Sequence, residues 1–205
     1  MDILKWATEI EDEVIAWRRK IYEHPELSDY EFETLALIRQ VLTEASVTYV
    51  DVNGGGIMAF IEGDVPGKTV FLRADIDALP IEEDTCNWAQ PKACLSKVPG
   101  VAHLCGHDAH TAMLMGAAKV LQAHKDLIEG RVILFFEQGE ENGHGDVNMM
   151  KAAIQESNIV TTVSPSYAVE IHDPWFAHHL DGAVNNKDYG LLMQYLRCFF
   201  IFNVV

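Results

Sequence analysis

The chain has 205 residues, of which 49% are hydrophobic, an ordinary share for a globular protein with a buried core. Its formal net charge of −16 argues against a nucleic-acid partner, because phosphate binding requires clustered Lys and Arg. The sequence contains neither an apolar run long enough to span a membrane nor a signal-peptide pattern at its start. We therefore expect a cytoplasmic protein with no membrane partner.

Amphipathic helices are predicted in the N-terminal part of the chain. Apolar residues spaced by three and four predict a first helix with Trp6, Val14 and Ile21 on one face. A turn at 24–27 follows, because Pro25 lacks a backbone donor. The pair Ser28 and Glu31 has the form of a capping box, which predicts a second helix that presents Phe32, Leu35, Ile38 and Leu42 to the core.

Strands are predicted after the glycine-rich break at 53–56. Residues 57–61 and 69–72 are short, β-branched and apolar, and they flank a turn signal at 64–67, so we expect them to pair as a hairpin. Residues 82–100 are expected to form an irregular loop. A helix should begin near His107, and the apolar run 131–136 is typical of a buried strand.

The C-terminal third continues the alternation of helices and strands. A helix is predicted around 147–154 and a strand at 167–171, which together with the earlier elements indicates an α/β domain. The segment 191–205 is strongly apolar and lacks a cap, a turn or a polar tail. It has the character of a strand whose partners are missing, or alternatively of an ordinary C-terminal core strand.

The densest group of chemically active side chains lies at 103–110. One thiol, three imidazoles and a carboxylate fall within eight residues, and Cys105 is separated from His107 by one glycine. A thiolate and a neutral imidazole are good ligands for Zn²⁺ and similar cations. A lone His would more often be a surface or core residue, but the clustering favours a metal site.

Carboxylates follow two of the predicted strands. Glu140 and Glu141 lie just beyond the strand at 131–136, where α/β proteins often place their sites. One could bind a metal while the other moves a proton, although an isolated Glu pair is usually a solvated loop. Asp75 and Asp77 follow the strand at 69–72, and one of them could orient a ligand His; the alternative is a pair of turn-forming acids.

Several segments together resemble one known family, the M20 metallopeptidases, and in particular their aminoacylase-like branch. The string CGHDAHTAML within 103–114 is highly specific for it. The matching segments, in the family's order and spacing, are 18–28, 73–80, 103–114, the pair Glu140–Glu141 and the pair Ile171–His172.

This resemblance implies a site with two divalent metal ions, Zn²⁺ or Mn²⁺. By position, the metal ligands would be Cys105, His107, Glu141 and His172. Glu140 would be the catalytic general base, and Asp75 would support a ligand. The implied reaction is hydrolysis of the amide bond in an N-acylated amino acid or small peptide.

The resemblance also implies a fold: a three-layer α/β sandwich around a mostly parallel central sheet. Family chains run to nearly twice this length, because they insert a lid domain that mediates homodimerisation and then supply one last His ligand. We therefore expect residues 1–188 to form part of the catalytic metal-binding domain and residues 189–205 to begin the lid. The rest of the lid would be absent.

Two main hypotheses follow. In the first, the chain is an amidohydrolase that uses the implied ligands and base. In the second, it is a catalytically incomplete fragment of such an enzyme that at most binds metal, because no His lies beyond His179 to provide the last ligand. A structural zinc protein is a third class, but structural sites usually draw their ligands from short paired motifs.

Overall fold

The computed structural model describes residues 2–87 and 90–142 of the chain. The helices in these ranges are α1 (Ile3–Glu9), α2 (Glu11–Glu23), α3 (Phe32–Glu44) and α4 (His107–Ala123), with a 3-10 turn at Lys125–Leu127. The strands are β1 (Thr48–Val52), β2 (Gly56–Glu62), β3 (Val65–Asp75), β4 (Cys86–Asn87), β5 (Gln90–Pro91) and β6 (Glu129–Glu137). No helix in the described ranges is long and apolar enough to cross a membrane.

The main sheet has the strand order β1-β2-β6-β3. Strand β6 pairs antiparallel with β2 and parallel with β3, so it lies between two strands that are neighbours in sequence. The predicted hairpin of 57–61 with 69–72 is therefore wrong. The turn signal at 64–67 is local, whereas β6 is a nearly continuous apolar run that buries most completely between two neighbours.

The α/β class is confirmed, but the described part of the sheet is mixed. Only the pairing of β3 with β6 is parallel; the β1–β2 and β2–β6 pairings are antiparallel. The expectation of a mostly parallel sheet is therefore not met within the described residues. The predicted helix at 147–154, the strand at 167–171 and the apolar segment 191–205 lie outside these residues.

The core lies between one face of the sheet and helices α2, α3 and α4. Alternate residues of the central strands are fully buried on that face, among them Ile57, Ile61, Leu134 and Phe136. This period of two is what a strand needs to present one apolar face. The core fixes the ends of β3 and β6 against the N-terminus of α4, where the chemically active side chains are found.

The region between α2 and α3 departs from the predicted capping box. The predicted helix is present, but it begins at Phe32 and not directly after Ser28. The Glu26 carboxylate accepts from the backbone N–H of Glu33 and of Thr34, at 3.0 and 2.8 Å. The Ser28 hydroxyl instead donates to Asp77. A sequence pattern of Ser-x-x-Glu cannot distinguish a cap from two side chains that contact distant loops.

Candidate metal centre

The carboxyl ends of β3 and β6 lie side by side and bring two acidic loops together. Asp75 and Glu137 are register partners at the ends of these parallel strands, and the Ile76 amide continues the pairing by donating to the Glu137 carbonyl. Beyond this point the Glu141 backbone N–H donates to the Asp77 carboxylate at 2.9 Å. Parallel pairing thus places two sequence-distant acidic segments at one edge of the sheet.

His107 lies at the centre of the site, at the first position of α4, and is only 2% exposed. Its Nδ1 lies 3.0 Å from both the carbonyl and the Oδ1 of Asp77. Two acceptors on this side favour a proton on Nδ1, so that in the neutral imidazole, the form that binds a metal, the Nε2 lone pair is free. This arrangement of a carboxylate on the far nitrogen is the one that orients a metal-binding His.

The free Nε2 of His107 faces carboxylates. It lies 3.6 Å from Asp75 Oδ1, 3.8 Å from Glu141 Oε1 and 3.9 Å from Glu140 Oε2. Burial lowers the pKa of His107, but the hydrogen bond with Asp77 and the charge of Asp75 outweigh it and raise the pKa above its usual value. A cation among these acidic groups would relieve their mutual repulsion.

Cys105 completes a group of three possible ligands. Its Sγ, a ring nitrogen of His107 and a carboxylate oxygen of Glu141 all lie within 4.8 Å of one another. Burial, followed by the hydrogen bond with Glu141, raises the pKa of the thiol. Three of the four predicted ligands are therefore brought together; the fourth, His172, lies outside the described residues.

The aspartate that contacts Nδ1 of His107 is Asp77, whereas Asp75 contacts Nδ1 of His110. Asp77 is 1% exposed and accepts from Ser28, from the Glu141 amide and from His107. Burial would raise its pKa, but these hydrogen bonds lower it. From the alternation of side chains alone, either aspartate could orient a ligand His. The resemblance to the family implies Asp75 for this role.

Asp75 makes different contacts, which the sequence did not predict. Its Oδ1 lies 2.7 Å from Nδ1 of His110, and its Oδ2 lies 3.0 Å from the Arg73 guanidinium. Burial raises the pKa of Asp75, but the hydrogen bond with His110 and the charge of Arg73 bring it below its usual value. Asp75, His107 and His110 form another group whose ligand atoms lie within 4.8 Å of one another.

Glu140 lies at the rim of the cluster with a side chain that is 40% exposed. Burial and then the neighbouring charges of Asp75 and Glu141 raise its pKa, against the opposing effect of Arg73, whose Nη2 lies 3.9 Å away. A carboxylate with a raised pKa is better matched to proton transfer near neutral pH than an ordinary one.

One buried acid near the site was missed entirely. Glu31 is 0% exposed, and its carboxylate accepts from the Gly139 backbone N–H at 2.8 Å and from the Gln138 side chain at 3.0 Å. The sequence offered Glu31 only as part of a capping box. A Glu that precedes an exposed Phe at the start of a helix gives no local sign of contact with a loop more than 100 residues away.

Comparison with known proteins gives a consistent family. The model of "Peptidase family M20/M25/M40" matches residues 71–185, more than half of the chain. The chain is 47% identical over 137 residues to thermostable carboxypeptidase 1 of Saccharolobus solfataricus, covering 66% of this chain and 34% of the relative. It is 40% identical over 156 residues to an N-acyl-L-amino acid amidohydrolase of Geobacillus stearothermophilus, covering 74% of this chain and 40% of the relative.

A solved structure shares the fold. It is a Bacillus subtilis protein described as a dinuclear metal-binding peptidase from the M20 family, with 35% identity and a TM-score of 0.65. The match covers 75% of this chain and 42% of that protein. The chain thus spans between about a third and two fifths of the length of the relatives that it matches.

Proposed function

The chain belongs to peptidase family M20/M25/M40, and from that premise we propose that it provides the metal-binding part of an amidohydrolase acting on N-acylated amino acids or small peptides. The observation that carries the proposal is the grouping of Cys105, His107 and Glu141, with the far nitrogen of His107 held by Asp77. A solvated acidic loop has no reason to bury and orient a His in this way. We further propose the cytoplasm as its location.

The donor set fits a pair of divalent cations. Cys105, His107 and Glu141 offer sulfur, nitrogen and oxygen within one small volume, and His172 is proposed as a further ligand. A thiolate favours Zn²⁺, whereas the number of nearby carboxylates keeps Mn²⁺ open. Bound there, such ions supply a Lewis acid that polarises the substrate carbonyl and lowers the pKa of water.

The protein's own groups then have distinct tasks. Glu140 accepts a proton from the attacking water and returns it to the nitrogen of the leaving amine. Its partly exposed carboxylate at the rim of the cluster suits both halves of that exchange. Asp77 holds His107 in the tautomer that leaves Nε2 free. Despite burial, the hydrogen bond with His110 and the charge of Arg73 lower the pKa of Asp75 and so keep it ionised.

A second candidate function is metal binding without turnover. It is favoured by the coverage of only about a third of the length of the curated relatives, since the part of a relative that these residues do not span can carry ligands and substrate contacts. The two candidates share the metal cluster and differ only in whether an amide is hydrolysed.

The test is hydrolysis of a panel of N-acetyl amino acids and hippurate by the purified chain with added Zn²⁺ or Mn²⁺. We expect turnover in the wild type, none in Glu140→Gln, and unchanged turnover in Glu62→Gln, whose carboxylate pairs with Arg131 on the exposed surface. Metal binding without turnover in the wild type would favour the second candidate. Failure of the wild type to bind either metal would reject both.

A further inference from the structure

The segment Ser28–Glu31, which we call the brace, contacts both loops of the metal centre. The Ser28 hydroxyl donates to Asp77 Oδ2 at 2.7 Å, and Glu31 Oε1 accepts from the Gly139 N–H at 2.8 Å. Both brace side chains are buried, Ser28 at 5% and Glu31 at 0% exposure. The brace therefore joins the segment after β3 to the loop after β6.

Glu31 is not used to stabilise its own helix. It is the residue before α3, yet its side chain makes no capping hydrogen bond. The first-turn amides of Glu33 and Thr34 are satisfied by Glu26 instead. A fully buried carboxylate is costly unless its hydrogen bonds are made. The hydrogen bonds from the Gly139 backbone N–H and the Gln138 side chain both come from the loop after β6, whose described residues, 138–142, we call the metal loop.

The described part of this loop is closely constrained around Gly139. Gly139 has a φ of +67°, a left-handed conformation, and it immediately precedes Glu140 and Glu141. On the N-terminal side of Gly139, the backbone N–H of Gln138 donates to the Gly55 carbonyl at 3.2 Å. With Gly139 fixed by Glu31, the backbone from which the proposed base and ligand project has little freedom to rotate.

We propose that Glu31 is a positioning residue that fixes the backbone conformation of the metal loop through its hydrogen bonds with Gly139 and Gln138; this inference rests on the proposed function. It acts on the cations only through Glu140 and Glu141. The competing explanation is that Glu31 contributes to overall stability alone. The two explanations differ in whether metal affinity changes when stability is matched.

Three variants separate them. Glu31→Met keeps the length of the side chain but removes both acceptors. Glu31→Gln keeps both hydrogen bonds, because Gln138 can turn its amide to accept from the new donor. Gln138→Leu removes one of the two contacts without touching the brace. Ile38→Val, in the fully buried core of α3, is the control that lowers stability away from the loop.

The measurement is Zn²⁺ affinity by competition with a chromophoric chelator, with Tm recorded for each variant and amide exchange followed at Gly139. We expect Glu31→Met to weaken binding about 10- to 100-fold, the range for groups that orient ligands. The Zn²⁺ affinity of Gln138→Leu should lie between those of the wild type and Glu31→Met. Glu31→Gln and Ile38→Val should bind Zn²⁺ as the wild type does, and the amide exchange of Gly139 should become faster only in Glu31→Met and Gln138→Leu.

Equal affinity of Glu31→Met and wild type at a lowered Tm would overturn the inference and leave the proposed function intact. A loss of affinity in Ile38→Val equal to that in Glu31→Met would also overturn it, because stability alone would then explain the effect. If Glu31→Met does not fold, Gln138→Leu decides by the same criterion. Absence of Zn²⁺ binding by the wild type would instead reject the proposed function.

Discussion

Replacement of Asp77 by Asn tests the geometry around His107. Asp77 Oδ1 faces His107 Nδ1, while Oδ2 accepts from both Ser28 and the Glu141 amide. The Asn side chain must turn an NH₂ group toward one of these sides. If the NH₂ group turns toward Glu141, two donors face each other, because the Glu141 backbone N–H already points there. If it turns toward His107, it donates to Nδ1, and the ring proton then moves to Nε2, the nitrogen that is needed for the metal.

Either orientation removes a contact that supports a ligand, and loss of such a contact typically weakens metal binding about 10- to 100-fold, or about 1.4–2.7 kcal/mol. Zn²⁺ titration in competition with a chelator measures this directly. Asp51→Asn makes the same chemical change at an exposed ion pair with Arg39 and should leave the affinity unchanged. An Asp77→Asn affinity within about twofold of wild type would refute the assigned role.

Two further predictions concern stability. Burial raises the pKa of Glu83, but the hydrogen bond from the Ser96 amide and its other contacts outweigh burial and lower it. Ionised Glu83 therefore stabilises the fold above its ordinary pKa of 4.5, and this contribution is lost as the pH falls through the lower folded value. Glu83→Gln should flatten the acid side of a Tm–pH profile; parallel profiles would contradict this. Gly56 has a φ of +112°, and Gly56→Ala places a Cβ 1.9 Å from the Phe136 carbonyl oxygen. The substitution should lower the free energy of unfolding, measured by urea denaturation, by about 2–4 kcal/mol. Gly54→Ala, at φ +65° with open space around it, should cost about 1 kcal/mol, and equal costs would contradict the steric argument.

Elements defined by their own periodicity could be predicted from the sequence. The apolar run of β6 and the helix that begins at His107 are both confirmed, because burial of an apolar face is recorded in the spacing of the residues. The first amphipathic pattern is also helical, although it is divided into α1 and α2 at Ile10. Strand β1 was not predicted, since its residues are mostly exposed and carry little apolar alternation.

Features that depend on distant residues could not be predicted. The predicted hairpin between 57–61 and 69–72 is wrong because β6 lies between these two strands. A local turn signal carries no information about which distant strand will pair with them. The capping box failed for the same reason, as Ser28 and Glu31 contact loops far along the chain. Within the site, residue types identified Cys105 and His107 as candidates, but only the geometry separated the contacts of Asp77 from those of Asp75.

The central claim, that Cys105, His107 and Glu141 bind a divalent cation together, is tested most directly by titration of the purified chain with Co²⁺. A cobalt–thiolate bond gives a charge-transfer band in the near ultraviolet. We predict this band in the wild type, its loss in Cys105→Ser, and its retention in Cys94→Ser, whose thiol lies against Glu23. A wild type without the band, or a Cys105→Ser variant that keeps it, would contradict the account.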